Sequence, residues 1–329
     1  MLSELLASVY GTVVFFFELT MATIRYGRAL VPLLTDSVLL LSGAMYFTRL
    51  KRPEQEAELP GPGDSMAHRG AYLDAPENSL EAFQYCVSRG CKFVEFDVRT
   101  SRDGECVVWH DAMVAGVDIA TTDWLDLCQL DTGRRNPARE GVPVKLCRLQ
   151  DAVSALAAAG VRVMLDIKDM DTRTVCSVAR VFQERPELLK TCCVTSFNPI
   201  AIYKVRKLEP RITGALTYQP HMFTISVYSA TGEVRYRFES SPVKFYLARM
   251  GEVVYGLLWA LGLPQIWAGA SLLLLHRDAA SPALLARWNS RGYPVATWPV
   301  NLPMDKLHAT RTLKVPYLTD TLVGESTEE

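Results

Sequence analysis

The sequence lacks the cysteine and basic patterns that mark two common classes of site. None of its eight cysteines belongs to a CxxC pair, so we do not expect a zinc site. Several cysteines fall in predicted core segments, which also disfavours a disulfide framework. No run of Lys and Arg is long enough to follow a nucleic-acid backbone, and the formal net charge is −1. We therefore expect no nucleic-acid partner and a substrate that is small or a lipid.

The N-terminal region is strongly apolar. Leu5–Ile24 contains one charged residue, Glu18, and Ala29–Leu50 contains only Asp36 and Arg49. Each stretch is close to the ~20 residues with which a helix crosses a bilayer. The sequence therefore predicts a membrane anchor over residues 1–50, with one or two transmembrane helices.

The orientation of this predicted anchor is not decided by charge. Basic residues follow both apolar stretches in similar number, and none of the five asparagines begins an N-x-Ser/Thr sequon. Residues 51–63 form a polar segment with Pro and Gly, which is typical of a linker. Residues 64–322 are long enough for one barrel of the ~250-residue class, and residues 323–329 form an acidic tail.

Apolar strand candidates alternate with helical segments along residues 64–322. Helical spacing is clear in Ser79–Ser88, Leu149–Ala159 and Thr174–Glu184, and each is followed by a strand candidate. This alternation is typical of a parallel sheet and predicts a TIM (β/α)8 barrel. Nine strand candidates compete for eight positions: Ser65–Ala67, Lys92–Val98, Cys106–Trp109, Val161–Lys168, Cys192–Ser196, Ile212–Leu216, Ser271–Leu275, Val295–Val300 and Tyr317–Thr319.

Two carboxylates stand on one apolar strand candidate. Glu95 and Asp97 are two residues apart, so their side chains project from the same face of the strand. An edge strand with a solvated acidic face would explain them, and so would a pair of oxygen ligands for Mg²⁺ or Ca²⁺. Asp166 and Lys168 repeat this spacing on another apolar strand, which favours the ligand interpretation.

Two histidines follow predicted strands. His68 begins an HRG triplet directly after Ser65–Ala67, and His110 comes directly after Cys106–Trp109. In a parallel barrel the C-terminal ends of the strands carry the chemistry. Two imidazoles, a guanidinium and several carboxylates gathered there suit metal-assisted phosphodiester chemistry.

A series of short motifs runs along the chain in a fixed order: HRG at 68–70, PEN at 76–78, ExD at 95–97, Asp103-Gly104, HD at 110–111, DIK at 166–168, SF at 196–197, WPVN at 298–301 and TD at 319–320. The order of these motifs resembles the glycerophosphodiester phosphodiesterase family, and most closely its membrane-anchored animal members. The resemblance extends over about residues 64 to 322 and implies a TIM barrel that uses a divalent cation.

The resemblance implies metal ligands and proton-transfer groups. Glu95, Asp97 and Asp166 would bind the cation, with Mg²⁺ expected first and Ca²⁺ as the alternative. Asp166 stands where the family often has Glu. His68 and His110 would act as general acid and base.

The resemblance also implies the course of the reaction. The glycerol 2-hydroxyl attacks phosphorus, the alcohol leaves, and water opens the cyclic phosphate to glycerol phosphate. Arg69 and Lys168 would bind the phosphoryl oxygens, and Trp298 would face the substrate.

Several polar residues near the motifs have simpler explanations. Glu77 and Asn78 either cap the helix that follows them or support the site. Asp111 and Asp320 orient their neighbours or cap loops. The histidines outside the motifs are interpreted as surface or capping groups: His221, His276 and His308.

An apolar insert at residues 219–268 is long for a barrel connection. Its second part, Val253–Trp267, carries no charge. As a strand-to-helix connection it would overhang the catalytic end of the barrel. It is either an ordinary buried helix or a membrane-dipping lip with Trp259 and Trp267 at the lipid interface.

Three functions from different classes follow from these features. The leading one is metal-dependent hydrolysis of glycerophosphodiesters to glycerol 3-phosphate and an alcohol such as inositol, ethanolamine or N-acylethanolamine. The apolar insert favours a second, a lysophospholipase D that releases lysophosphatidic acid. The third is a membrane scaffold without catalysis, which the intact histidines and acids disfavour. We expect membrane lipids as partners, and the resemblance indicates an integral membrane protein with a lumenal or extracellular catalytic domain.

Overall fold

The computed structural model describes residues 43–134, 141–228, 234–238 and 240–323. The chain divides into two compact units, one up to Arg49 and one from Leu50 onward. In the first unit, residues 43–48 are helical. Within the described ranges no helix has the length and apolar character needed to cross a bilayer. The predicted span Leu5–Ile24 and most of Ala29–Leu50 lie outside the described residues.

Eight parallel strands form a closed ring. The order around the ring is β1, β13, β12, β11, β8, β7, β6 and β2, and β1 pairs with both β13 and β2 to close it. The predicted TIM barrel is therefore confirmed. The strands are β1 Ser65–Ala67, β2 Phe93–Thr100, β3 Cys106–Val108, β4 Met113–Val114, β5 Val117–Asp118, β6 Arg162–Ile167, β7 Cys192–Ser196, β8 Thr213–Tyr218, β9 Ile225–Tyr228, β10 Val234–Tyr236, β11 Leu272–His276, β12 Val295–Trp298 and β13 Tyr317–Thr319.

The extra strand candidate is β3. It pairs antiparallel with the far end of β2, with Val108 opposite Val98 and Cys106 opposite Thr100, and takes no place in the ring. The expectation that His110 follows a parallel barrel strand is therefore wrong. The chain instead extends beyond the barrel along β2 and returns along β3.

Helices connect successive strands and pack outside the ring. Most begin after a residue with non-helical backbone, and Ser79, Asp171, Asn198 and Ser281 cap them with side-chain oxygens. The helices are α1 Leu80–Ser88, α2 Trp124–Leu127, α3 Leu149–Ala158, α4 Thr172–Glu184, α5 Leu188–Thr191, α6 Pro199–Leu208, α7 Pro242–Leu261, α8 Leu263–Ala268, α9 Pro282–Ser290 and α10 Pro303–Leu307.

The alternation of side chains along each strand produces two apolar layers. One layer fills the barrel interior and includes Met66, Met164 and Leu272, with Leu59 and Trp298 packed against it. The other lies between the strands and the helices. Full burial of one such side chain stabilises the fold by about 1.5–3 kcal/mol. Because both layers contain many buried side chains, they fix the strands and therefore the positions of the strand ends.

Residues within and directly before the predicted linker contact the barrel. The Leu50 N–H donates to the carbonyl of Trp267, and the Ala57 N–H donates to the hydroxyl of Thr213. Fully buried Arg206 donates from its guanidinium to five carbonyls, including those of Lys51 and Gly269. These contacts fix the point at which the chain enters the barrel.

The apolar run Val253–Trp267 begins in the second half of α7 and continues into α8. The two helices are separated at Gly262, whose φ is 86°. Trp259 is 4% exposed, and its ring lies 6.5 Å from that of Trp288 in the core. The placement of Trp259 at a lipid interface is therefore wrong. Trp267 is half-buried and stacks on Tyr203.

Candidate active site

Three carboxylates converge on neighbouring barrel strands. Glu95 and Asp97 belong to β2, and Asp166 on β6 is the register partner of Asp97. One oxygen of each carboxylate lies within 4.8 Å of the other two, and all three side chains are buried. The edge-strand explanation is wrong, because β2 is paired with β1 and β3 as well as with β6.

Two cationic side chains contact this carboxylate cluster. Lys168 Nζ lies 2.6 Å from Asp166 Oδ2 and 2.8 Å from Asp97 Oδ1. Arg69 Nε lies 3.4 Å from Asp97 Oδ2, and the Arg69 backbone N–H donates to Glu95 Oε2 at 2.9 Å. Buried charges are tolerated only when they are paired, so Lys168 and Arg69 are needed for the acids to be charged. They also provide positive charge beside any phosphate that enters.

The HRG turn has a steric requirement for glycine. Gly70 has a φ of 77°, and a Cβ at this position would lie 2.7 Å from the Cβ of Ala82. The turn also holds Arg69 at a φ of 51°, in the left-handed region. This backbone directs the Arg69 N–H and its side chain toward the same carboxylate cluster.

His68 is held by residues from the other end of the chain. Its Nδ1 lies 2.5 Å from Asp320 Oδ1, and Asp320 Oδ2 accepts a hydrogen bond of 2.6 Å from Asn301 Nδ2. His68 Nε2 lies 3.8 Å from Glu95 Oε2. Burial alone would lower the pKa of His68, but the carboxylates of Glu95 and Asp320 outweigh it and raise that pKa.

His110 reaches the cluster from outside the ring. The Trp109 N–H donates to the carbonyl of Asp97, which brings the next residue beside β2. His110 Nδ1 lies 2.7 Å from Asp111 Oδ1. Burial, with the nearby charge of Lys168, lowers the pKa of His110 to about 4.

The PEN motif supports the carboxylate cluster. Asn78 Nδ2 donates to Asp97 Oδ2 at 2.7 Å, and its Oδ1 accepts from the Asp97 N–H at 3.2 Å. Glu77 Oε1 accepts a 2.7 Å hydrogen bond from Arg69 Nη1. The capping explanation for Glu77 and Asn78 is wrong, because Ser79 caps the helix that follows.

The electrostatics of the cluster fit a bound cation. Burial, followed by the Asp97 carboxylate, raises the pKa of Glu95 to about 7, and burial raises the pKa of Asp166. Asp166 Oδ1 is buried and has no hydrogen-bond partner among the described residues. Clustered carboxylate oxygens are the ligands that Mg²⁺ and Ca²⁺ prefer. The residues present therefore fit a divalent cation, and Glu95, Asp97 and Asp166 would hold it.

One cavity of about 640 Å³ is lined by Glu95 and Asp166 of the cluster and by both histidines. Besides the charged groups its lining includes Phe197, Met222, Phe223 and Trp298. Trp298 lies between the charged and the apolar lining residues, with its ring centroid 6.4 Å from that of His68 and 5.3 Å from that of Phe197. The cavity therefore has a charged floor and an apolar wall.

The structure brings together every predicted site residue and adds some that the sequence did not single out. Arg134 Nη2 lies 2.8 Å from Glu77 Oε2, and its guanidinium lies over the ring of Trp109. Arg134 stands in no motif, so no local signal identified it. Phe223 and Arg237 reach the cavity from the insert. Of the three histidines outside the motifs, His276 is buried and accepts from the Asp278 N–H, and the other two are exposed.

Comparison with known proteins relates this geometry to one family. The family model described as "Glycerophosphoryl diester phosphodiesterase family" matches residues 68–322. The chain is 29% identical over 271 residues to glycerophosphodiester phosphodiesterase 1 of Homo sapiens, covering 79% of this chain and 78% of that protein. The protein of the same name from Bos taurus is 29% identical over 275 residues, covering 80% of each.

Solved structures share the fold. A phosphodiesterase from Oleispira antarctica, in complex with the product sn-glycerol-3-phosphate, aligns with a TM-score of 0.59 and 19% identity over 78% of this chain and 92% of that chain. A glycerophosphoryl diester phosphodiesterase from Silicibacter pomeroyi aligns with the same TM-score and 20% identity over 80% of this chain and 92% of that chain. Because the family model also covers most of the sequence, the chain belongs to the glycerophosphoryl diester phosphodiesterase family.

Proposed function

We propose that the protein hydrolyses glycerophosphodiesters to glycerol 3-phosphate and an alcohol, with a divalent cation held by Glu95, Asp97 and Asp166. The carboxylate cluster carries this proposal, because its three oxygens lie within 4.8 Å of one another beside Lys168. Mg²⁺ is the first expectation and Ca²⁺ the second. When bound, the cation would polarise the phosphodiester and lower the pKa of a coordinated hydroxyl.

The protein's own groups account for the remaining steps. Arg69 and Lys168 bind phosphoryl oxygens and stabilise the charge that develops on them. Both histidines have Nδ1 beside a carboxylate, which leaves Nε2 to transfer protons. One histidine accepts the proton of the glycerol 2-hydroxyl as that oxygen attacks phosphorus, and the other protonates the departing alcohol. The roles then reverse as water opens the cyclic phosphate, which gives glycerol 3-phosphate.

A second candidate function is lysophospholipase D, which would release lysophosphatidic acid. The apolar wall of the cavity favours it, since Phe197, Met222 and Phe223 can contact an acyl chain. The alcohol released by the leading reaction also depends on this wall. N-acylethanolamine would use the apolar surface, whereas inositol and ethanolamine would not.

Membrane attachment through residues 1–50 is part of the proposal, as is a lumenal or extracellular catalytic domain. The two apolar stretches support the attachment. Protease protection of sealed microsomes, read with an epitope tag after residue 323, tests the orientation. Loss of the tag from intact vesicles would place the barrel on the cytoplasmic side.

Activity of the detergent-solubilised full chain tests the reaction. Glycerophosphoinositol and a lysophospholipid are each assayed with Mg²⁺, Ca²⁺ or a chelator, beside Glu95→Gln and the exposed control Glu184→Gln. We expect metal-dependent release of glycerol 3-phosphate that Glu95→Gln abolishes and Glu184→Gln leaves unchanged. The ratio of the two substrates ranks the candidate functions. Absence of turnover under every condition would favour the scaffold without catalysis.

A further inference from the structure

Helix α7 presents an apolar face to solvent along its whole length. Its exposed apolar residues recur at steps of three and four, so they lie on one side of the helix. Each is 55–70% exposed, and together they extend over about 27 Å of helix. Exposed apolar patches of this length mark an interaction surface. We call this set the α7 stripe: Val243, Tyr246, Leu247, Met250, Val253, Val254, Leu257 and Leu261.

The opposite side of α7 is fixed against the barrel. The Trp259 ring lies 4.8 Å from that of Tyr218 at the end of β8, and Tyr255 lies 5.8 Å from Phe223 in ring centroids. A Cβ on Gly251 would be 3.4 Å from the Phe223 ring. The helix cannot rotate to bury the stripe without losing these contacts. These contacts therefore keep the stripe on the side of α7 that faces away from the barrel.

The same helix supports the wall of the catalytic cavity. Phe223 lines the cavity and packs on the inner side of α7. The Tyr255 hydroxyl donates to the carbonyl of Phe197, another lining residue, at 3.4 Å. The contact of Tyr255 lies about 20 Å along the helix axis from Pro242, the first residue of α7. The apolar surface outside and the apolar cavity wall inside are thus separated by the thickness of one helix.

The apolar surface continues toward the entry of the chain into the barrel. Ile266 in α8 is 42% exposed, and the carbonyl of the next residue, Trp267, accepts a hydrogen bond from the Leu50 N–H. Leu50 is also the last residue of the second predicted membrane span. Trp267 follows Leu261 by six residues, so the end of the stripe lies within two helical turns of the residue that binds Leu50.

We propose that the α7 stripe rests on the surface of a phospholipid bilayer, with its apolar side chains among the acyl chains. An amphipathic helix binds membranes in this way, parallel to the bilayer plane. Exposed Lys244 on the same helix is suited to anionic headgroups. Contact along α7 brings the cavity wall formed by Phe223 beside the lipid. A lipid substrate then reaches the carboxylate cluster without crossing bulk water.

Photo-crosslinking of the full chain identifies what covers the stripe. A photoreactive amino acid replaces Leu257, and the protein is reconstituted in vesicles of phosphatidylcholine with one fifth phosphatidylserine. The matched control carries it at Val87 in α1, which is 39% exposed. Helix α1 follows β1, four positions around the ring from β8, so it lies on the opposite side of the barrel.

We expect phospholipid adducts at position 257 that exceed those at position 87 at least tenfold. Adducts with residues 1–42, or with a second copy of the chain, would overturn the proposal, and so would equal labelling at the two positions. The crosslink requires no turnover. Its outcome is therefore independent of whether the proposed reaction occurs.

A charged variant tests the consequence for substrate delivery. Met250→Glu with Leu257→Glu places two charges on the stripe, and Val87→Glu is the charge control. We expect hydrolysis of lysophospholipid in the vesicles to fall at least tenfold, with glycerophosphoinositol hydrolysis unchanged. Equal loss on both substrates, or loss on neither, would contradict delivery from the bilayer.

Discussion

The two histidines of the cavity are held in different ways. His68 is held by Asp320, 252 residues away in the sequence, and the two side chains are 12% and 2% exposed. His110 is held by its neighbour Asp111, and these side chains are 32% and 58% exposed. A buried hydrogen bond that is lost leaves a polar group without water, whereas an exposed one is replaced by solvent. The orientation of His68 therefore depends on the barrel being closed between β1 and β13.

The largest expected effect comes from replacing, in separate variants, the carboxylates that orient the two histidines. Asp320→Asn should lower kcat by about 10- to 100-fold with little change in KM, because supporting groups of this kind align the groups that react. Asp111→Asn should lower kcat by less than about fivefold, since exposed pairs contribute only about 0–1 kcal/mol. Steady-state kinetics on glycerophosphoinositol measures both. Similar losses in the two variants would remove the distinction between the histidines.

A third histidine extends the comparison to stability. His276 is also buried at a strand end, and burial lowers its pKa to about 4. The unfolded chain, in which the pKa is near 6.5, binds more protons below that pH, so stability falls as the pH drops from 6.5 toward 4. From pH 7.5 to 5 this group alone should remove about 2 kcal/mol. His276→Gln should lose that part of the pH dependence in urea unfolding, and an unchanged profile would contradict it.

The smallest expected effect concerns Asn301, which holds the carboxylate that orients His68. Asn301 donates to Asp320 Oδ2 and accepts from the Asp320 N–H at 2.8 Å. Asn301→Ala should lower the free energy of unfolding by about 1 kcal/mol through the lost hydrogen bonds. It should lower kcat less than Asp320→Asn. Asn289→Ala, on the exposed side of α9, is the control, and equal unfolding curves for the two variants would show that Asn301 does not hold Asp320.

Much of the catalytic site could be predicted from local spacing. The period of two along β2 placed Glu95 and Asp97 on one face, and the same spacing in β6 indicated Asp166. Parallel strands end at one edge, so these groups were expected to converge. The support that Asn78 gives to Asp97 was harder to predict, because a polar residue before a helix is also typical of a helix cap. Only the position of Ser79 as the cap resolved it.

The predictions that were wrong or incomplete concern contacts between segments that are distant in the sequence. The apolar run at Cys106–Trp109 indicated a buried strand correctly, but sequence does not specify whether a strand pairs parallel or antiparallel. The apolar neighbours of Trp259 fit a buried helix as well as a lipid interface, and Trp259 lies in the core. The pairing between Arg134 and Glu77 joins residues far apart in sequence, so no local pattern could indicate it.

The sequence by itself determined the alternating strands and helices and the set of charged residues on or directly after the strands, because side-chain alternation and helical spacing are local properties. Only the tertiary structure decided which strand stays outside the ring, which carboxylate orients His68, and which side of α7 faces solvent. These depend on what packs against each surface. An apolar side chain is buried or exposed according to its neighbours in space, and those neighbours are set by the closed fold.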